Sequence, residues 1–397
     1  MFRYFLLSGF ILLATSSFSQ QVLSRQQAIT IAGANRVNTD AAQFDLLRQQ
    51  QLLKGSRGFD NPELEFEIDP YDPMVLGVLM PLRLPSVYAS RSGLQKERIR
   101  LSELMLQLNK YEINRLVQNT YNEVQYLHAR VNLLQQQDSL YQSIKTAAKR
   151  NFEAGQINKL EQLFATNEAN NLHNELERAL IELPAQKRAL SYILNYSTDF
   201  LVDSFQAMTT DPMLLSLLDT ISNSIRPQIL QQQVVVSQKE LKAERAELLP
   251  QINTGPLFGL EKPHGEGGTK RQGWRVSLSM PLWRGQNRAR IQAAQTGVQL
   301  AEAQRRREIQ DLNREYTVAM SQLLREQKSL QYYTTVANQQ AIDITQTALR
   351  LFQAGQVNYI ETMRNIITAF QTKVNYLETI RNFNQALTEL KYLNGSL

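Results

Sequence analysis

The sequence predicts a mainly α chain of long coiled-coil helical hairpins, joined to four β-strands of membrane-spanning length. Three observations predict it. Apolar residues recur every seven positions for about six heptads. The chain repeats itself at an offset of 200 residues. Four segments of about ten residues alternate apolar and polar side chains.

The elements follow in chain order. Residues 1–19 have a basic residue (Arg3), an apolar core over 4–14, and small residues Ser17 and Ser19 before Gln20. That is the layout of a secretory signal peptide, and it places the mature protein outside the cytoplasm. Residues 20–60 are expected to hold an N-terminal helix. The first β-hairpin is expected over 61–84. In PELEFEIDP, Glu63, Glu65, Glu67 and Asp69 fall on one side of an extended chain, and Leu64, Phe66 and Ile68 on the other. MVLGVLMPLRL follows after the turn-forming DPYDP.

A first long helical hairpin is expected over 85–196. Ile113, Val117, Val124, Leu127, Val131, Leu134 and Tyr141 alternate steps of three and four, with Thr120 and Asp138 as polar gaps. Residues 197–226 break the pattern and read as a linker. A helix over 227–249 leads to the second β-hairpin over 250–283. There Trp274, Val276, Leu278, Met280 and Leu282 share one face, and Arg275, Ser277 and Ser279 the other. The second long hairpin occupies 284–397, with Ile309, Tyr316, Leu323, Leu330, Ala337, Ile344 and Leu351 as its heptad seam. Each rod is about 70 residues without proline, so it would be ~100 Å long.

The repeat locates the hairpin tips. NFEAGQINKLE (151–161) matches LFQAGQVNYIE (351–361), and MPL recurs at 80–82 and 280–282. Ala154-Gly155-Gln156 and Ala354-Gly355-Gln356 each follow a long helical pattern, where glycine is the usual left-handed terminator.

Composition excludes several functions. The charge is +6 with its basic residues dispersed, so nucleic acid is not an expected partner. The chain has no cysteine, hence neither disulfides nor a lipid-bearing cysteine. His128, His173 and His264 share no metal-ligand spacing, and no metal or cofactor site is expected. No nucleotide or nucleophile motif is present, so the chain is not expected to be an enzyme.

Four strands are too few to close a membrane barrel, whose smallest known form has about eight. Open edges are not tolerated in hydrocarbon. Two chains would give eight strands and a filled interior, three would give twelve and room for a channel. In either case Glu63, Glu65, Glu67 and Asp69 would face water and the apolar side would face lipid.

On these features the chain resembles the TolC-type outer-membrane efflux proteins. The resemblance is carried by the signal peptide, the duplication, the two hairpins, the MPLWRGQNRARIQAAQ strand-to-helix passage and the twin AGQ tips. It implies a homotrimer with a shared twelve-stranded transmembrane barrel and a trimeric α-barrel projecting into the periplasm. It implies a passive conduit for small solutes, heavy-metal ions and drugs among the candidates. It implies docking of the tips onto a periplasmic adaptor beneath an inner-membrane efflux pump. Acidic residues beyond the second tip would ring the entrance: Glu361 takes the first such place, with Glu161 as its repeat counterpart. Arg364 stands where a second acid is expected. A duct for secreted polypeptides and a non-channel periplasmic coiled-coil scaffold are the alternative readings.

Overall fold

A computed structural model describes residues 21–67, 74–197, 199–209, 224–260, 272–281 and 284–397. The signal peptide, Ile68, Asp69, the DPYDP turn, His264 and its loop, Leu282, Trp283 and the middle of the linker lie outside the described residues.

The described residues open with a short strand β1 (Gln21–Leu23) and two helices, α1 (Arg25–Ala34) and α2 (Arg36–Gly55). Strands β2 (Glu63–Glu67) and β3 (Met74–Arg83) lead into helix α3 (Pro85–Glu153), 69 residues long. Pro85 starts α3 where the missing N–H has no partner to lose. Helix α4 (Lys159–Leu194) returns alongside it, and β4 (Phe200–Val202) pairs in parallel with β1. The second half repeats the plan. Helix α5 (Ile225–Ala246) precedes β5 (Gln251–Leu260) and β6 (Gln272–Ser279). Helix α6 (Arg284–Tyr332) passes through a π-helical segment (Tyr333–Ala337) into α7 (Asn338–Gln353), and α8 (Tyr359–Asn394) returns.

The long helices are held by three apolar clusters along their length. Towards the tips, Val131, Leu134, Tyr141 and Ala148 of α3 meet Ala165, Ala169 and Leu172 of α4 and Tyr359, Met363 and Ile366 of α8. Further along, Val117, Tyr121 and Val124 meet Leu190, Leu194, Phe200 and Leu23. On the other side of α8, Phe383, Leu387 and Leu390 meet Leu312 and Leu323 of α6. The heptad residues of the first half therefore form the seam that their spacing predicts.

The second half departs from its predicted seam. Ile344 is 39% exposed, whereas Ala341 and Ala348 are buried. The π-helical turn at Tyr333–Ala337 is the cause. It accommodates one extra residue, so every inward position beyond it moves along the chain by one. A strict seven-residue count carried through this turn places Ile344 wrongly.

The four long strands form one antiparallel sheet in the order β2-β3-β5-β6, which leaves β2 and β6 at its edges. At its foot an ion-pair cluster joins it to the helices. Arg83 bonds Asp60 at 2.7 Å and Glu247 at 2.5 Å, and Arg91 bonds Glu247 at 2.5 Å and Asp60 at 3.3 Å. The hydrogen bond from Arg83 is the main reason that the Asp60 carboxyl lies below the usual carboxylate range. These residues come from three crossings between helix and sheet, with Arg83 and Arg91 on either side of one of them, so the cluster fixes the angle between the two.

Buried amides hold the segment that follows β4. The Asn384 side chain is wholly buried; it donates to Asn122 Oδ1 and to the carbonyl of Gln206, both at 3.0 Å. Its oxygen accepts from the amide of Met208 at 2.7 Å. Gln125 donates to the carbonyls of Asp203 and Ser204. Tyr121 donates to the carbonyl of Leu23 and accepts from the amide of Asp203; burial pushes its phenol up to about 12. An irregular segment has no ladder of its own, so side chains of α3 and α8 supply its hydrogen bonds. Asn384→Ala should leave several buried groups unpaired at a cost of about 1–3 kcal/mol. Lower thermal stability and faster proteolytic cleavage within 203–209 are the expected results; an unchanged melting temperature and cleavage pattern would show the amide to be dispensable.

Candidate channel face and helical tips

The register of the sheet sorts its side chains onto two faces. Glu65 stands opposite Gly77, which stands opposite Leu257, which stands opposite Gly273. Alternation then places Glu63, Glu65, Glu67, Gly77, Gln251, Asn253, Gly255, Gly273, Arg275, Ser277 and Ser279 on one face, with Val75, Leu79 and Leu257 as apolar members. The opposite face carries Leu64, Phe66, Leu76, Val78, Ile252, Phe258, Trp274, Val276 and Leu278. Leu64, Phe66, Trp274, Val276 and Leu278 are all exposed. One polar handle on this face is satisfied internally, since Trp274 Nε1 donates to Thr254 Oγ1 at 2.7 Å. A broad exposed apolar face backed by a polar, glycine-rich one is what a lipid-facing wall around an aqueous space requires.

The polar face is not purely acidic. Arg275 on β6 bonds Glu65 at 2.5 Å and Glu67 at 2.7 Å, both on β2. Sequence spacing puts Arg275 on the polar face but gives no hint of these partners. They lie on the opposite edge of the sheet, 208 residues away in the case of Glu67.

The two tips are built alike. Gly155 and Gly355 lie at φ 72° and φ 68°, in the left-handed region. Around the first, the amide of Gln156 bonds the carbonyl of Asn151 and the amide of Gly155 bonds that of Phe152. Around the second, Gln356 bonds Leu351 and Gly355 bonds Phe352. These paired bonds are a Schellman termination, which satisfies carbonyls left over at a helix end. Asn158 and Asn358 then cap the returning helices. The far ends obey the repeat too: α4 stops at a left-handed Asn195 and α8 at a left-handed Gly395.

Glu161 and Glu361 occupy equivalent places in these caps. Glu161 accepts from the amide of Asn158 while Asn158 accepts from the amide of Glu161, a reciprocal capping box. Glu361 donates its amide to Asn358, but its carboxylate does not return the bond. Glu361 and Arg364 are both exposed and form no ion pair with each other. Ala154, Gly155, Gln156, Ala354, Gly355 and Gln356 are exposed as well. The tips lie together at one end, because Tyr359 at the start of α8 donates to the carbonyl of Ile144 on α3 at 2.6 Å. The spacing N-x-x-E at 158–161 and 358–361 is the signal from which the capping roles could have been found.

No cluster of three or more His, Cys, Asp or Glu able to hold a metal ion exists among the described residues. No described helix is long and apolar enough to cross a membrane.

Comparison with known proteins agrees with this layout. Residues 223–396 match the family model for outer membrane efflux proteins. No curated protein matches the chain in sequence. Solved structures match its fold throughout. The outer-membrane channel OprN superposes with a TM-score of 0.79 at 13% identity, covering 94% of this chain and 90% of that one. VceC of Vibrio cholerae gives 0.75 at 14% identity, covering 94% and 96%. The CmeC channel of Campylobacter jejuni gives 0.74 at 14% identity, covering 94% and 85%. The second half of the chain is thus similar to the outer membrane efflux proteins in sequence, and nearly the whole chain shares the fold of these channels.

Proposed function

We propose that three copies of this chain assemble into a passive conduit across the outer membrane and periplasm. It exports small solutes delivered by an inner-membrane pump through a periplasmic adaptor. The observation that carries the reading is an imbalance between the halves. Met363, Ile380 and Tyr392 of α8 are 1%, 4% and 9% exposed. Their repeat counterparts on α4, Leu163, Leu180 and Tyr192, are equally apolar yet 52%, 39% and 83% exposed.

The reason is packing. Helix α8 lies on α3 of its own chain. The repeat counterpart of that contact is α4 on α6 and α7, and among the described residues no extended interface of this kind exists within the chain. A second copy supplies it. The contact is head-to-tail, so it must close into a ring. The sheet carries the same demand, since β2 and β6 are free edges and lipid tolerates none. Three copies give twelve strands and an aqueous bore for the charged face, whereas two would fill the interior with side chains. The exposed apolar face of the sheet has no use in a periplasmic scaffold.

No bond chemistry is needed, because the pump supplies the energy. The exposed AGQ tips support their role as the adaptor contact, and Glu361 stands beside them as the candidate acid of the entrance. The cargo is small solutes, drugs and metal ions among them, rather than secreted polypeptide.

Leu180→Arg should place a charge in the α4 interface. Native mass spectrometry of detergent-extracted protein should then show three chains for the wild type and a shift to one for the variant, with helix content retained. A wild-type monomer, or a variant trimer of normal stability, would remove this interface.

Gly355→Val tests the tips. A β-carbon at Gly355 meets no atom within 4 Å, so the cost is backbone strain of about 1–2 kcal/mol. Trimer yield should be normal while cross-linking to the adaptor and export are lost. Normal export would make the tip a helix terminator only.

A further inference from the structure

We infer that Arg275 sets the ionic preference of the membrane section by occupying the carboxylates that would otherwise attract and bind cations. The inference rests on the conduit reading above and adds a specificity-determining residue to it.

The geometry is unusual for a sheet. Strands β2 and β6 are its two edges, with β3 and β5 between them. Three strand spacings amount to ~14 Å along a flat sheet. Yet one guanidinium bonds both Glu65 and Glu67 across that span, Nη1 to Glu65 Oε1 and Nη2 to Glu67 Oε2. The Arg275 and glutamate side chains must therefore lie along the polar face and reach towards each other over β3 and β5.

Glycines clear its path. Gly77 lies opposite Glu65, Gly255 opposite Arg275, and Gly273 two residues before Arg275. A β-carbon on Gly77 would come within 2.8 Å of Leu257 Cδ2 and 3.4 Å of Glu65 Cβ. A β-carbon on Gly255 would strike the carbonyl of Val78. The face therefore carries no side chain at Gly77, Gly255 and Gly273, and Leu257 between them leans over Gly77, beneath the ion pairs.

The consequence is electrostatic. Without Arg275, Glu63, Glu65 and Glu67 would form an acidic band, repeated once per copy around an aqueous bore. Such a band concentrates cations and excludes anions. Two carboxylates two residues apart on one strand could also share a divalent cation. With Arg275 in place, two of the three carboxylates are already ion-paired. The wall is closer to neutral and passes solutes of either charge.

Reversal potentials in planar bilayers under a potassium chloride gradient test this. Arg275→Gln should raise the cation-to-anion permeability ratio about threefold or more. Millimolar calcium chloride should depress its conductance while leaving the wild type unaffected. The double variant Glu65→Gln/Glu67→Gln should shift preference towards anions, because Arg275 is then uncompensated. It also carries the test alone if Arg275→Gln does not insert. The triple variant should return towards the wild-type ratio. Wild-type channels that conduct, with variants of unchanged ratio and no calcium sensitivity, would overturn the role of Arg275 and leave the conduit standing. Wild-type protein that forms no conducting channel would overturn both.

Discussion

A helix of 69 residues with an apolar stripe along it draws most of its stability from covering that stripe, and the rest of the molecule is organised around covering helix α3. Its seam is matched by the small residues of α4 towards the tip, where Ala165 and Ala169 let the two helices approach closely. Its middle carries a polar run, Tyr121, Asn122 and Gln125, that is buried because an irregular segment lies across it. Its foot is tied to the sheet by Arg91 and the Asp60–Arg83–Glu247 cluster. Each of these covers is local, so the rod can be long without one large core.

Duplication supplies the second rod, but the two halves are not equivalent. The first is one uninterrupted α-helix, and the second contains the π-helical turn at Tyr333–Ala337. Both halves have the same number of residues between their MPL strands and their AGQ tips. The turn therefore rotates the apolar stripe of α7 relative to that of α6 without changing the residue count. Burial differs as well: α8 packs on the other half of its own chain through α3, whereas the equivalent face of α4 has no such cover among the described residues. A duplicated helix whose equivalent face remains bare is a physical argument for a neighbour of the same kind.

Charge placement follows a similar logic in the sheet and at the tips. On the polar side of the strands Arg275 is paired with Glu65 and Glu67 across the sheet, while the apolar side keeps its indole nitrogen bonded to a threonine hydroxyl. At the tips, Glu161 serves its own helix start, leaving Glu361 as the acid whose carboxylate is not engaged in a cap. The same residue type at the same repeat position thus has two different settings.

What the sequence determined by itself was whatever depends on neighbours a few residues away. Alternation along PELEFE and along WRVSLS is a property of extended backbone, and so the two faces of the strands were legible. The glycines in AGQ mark left-handed terminations that almost no other residue adopts, so the ends of the rods were legible as well. The seam of α3 was legible because the helix is regular throughout. Only the tertiary structure decided the rest. A π-helical turn has no simple residue code, so the slip that exposes Ile344 could not be counted in advance. The meeting of Arg275 with Glu65 and Glu67 depends on strand order and on the register of four strands. The burial of Asn122 against Asn384 depends on which segment crosses α3. Those contacts join residues hundreds of positions apart, and one-dimensional spacing carries no information about which polar group a distant one will meet.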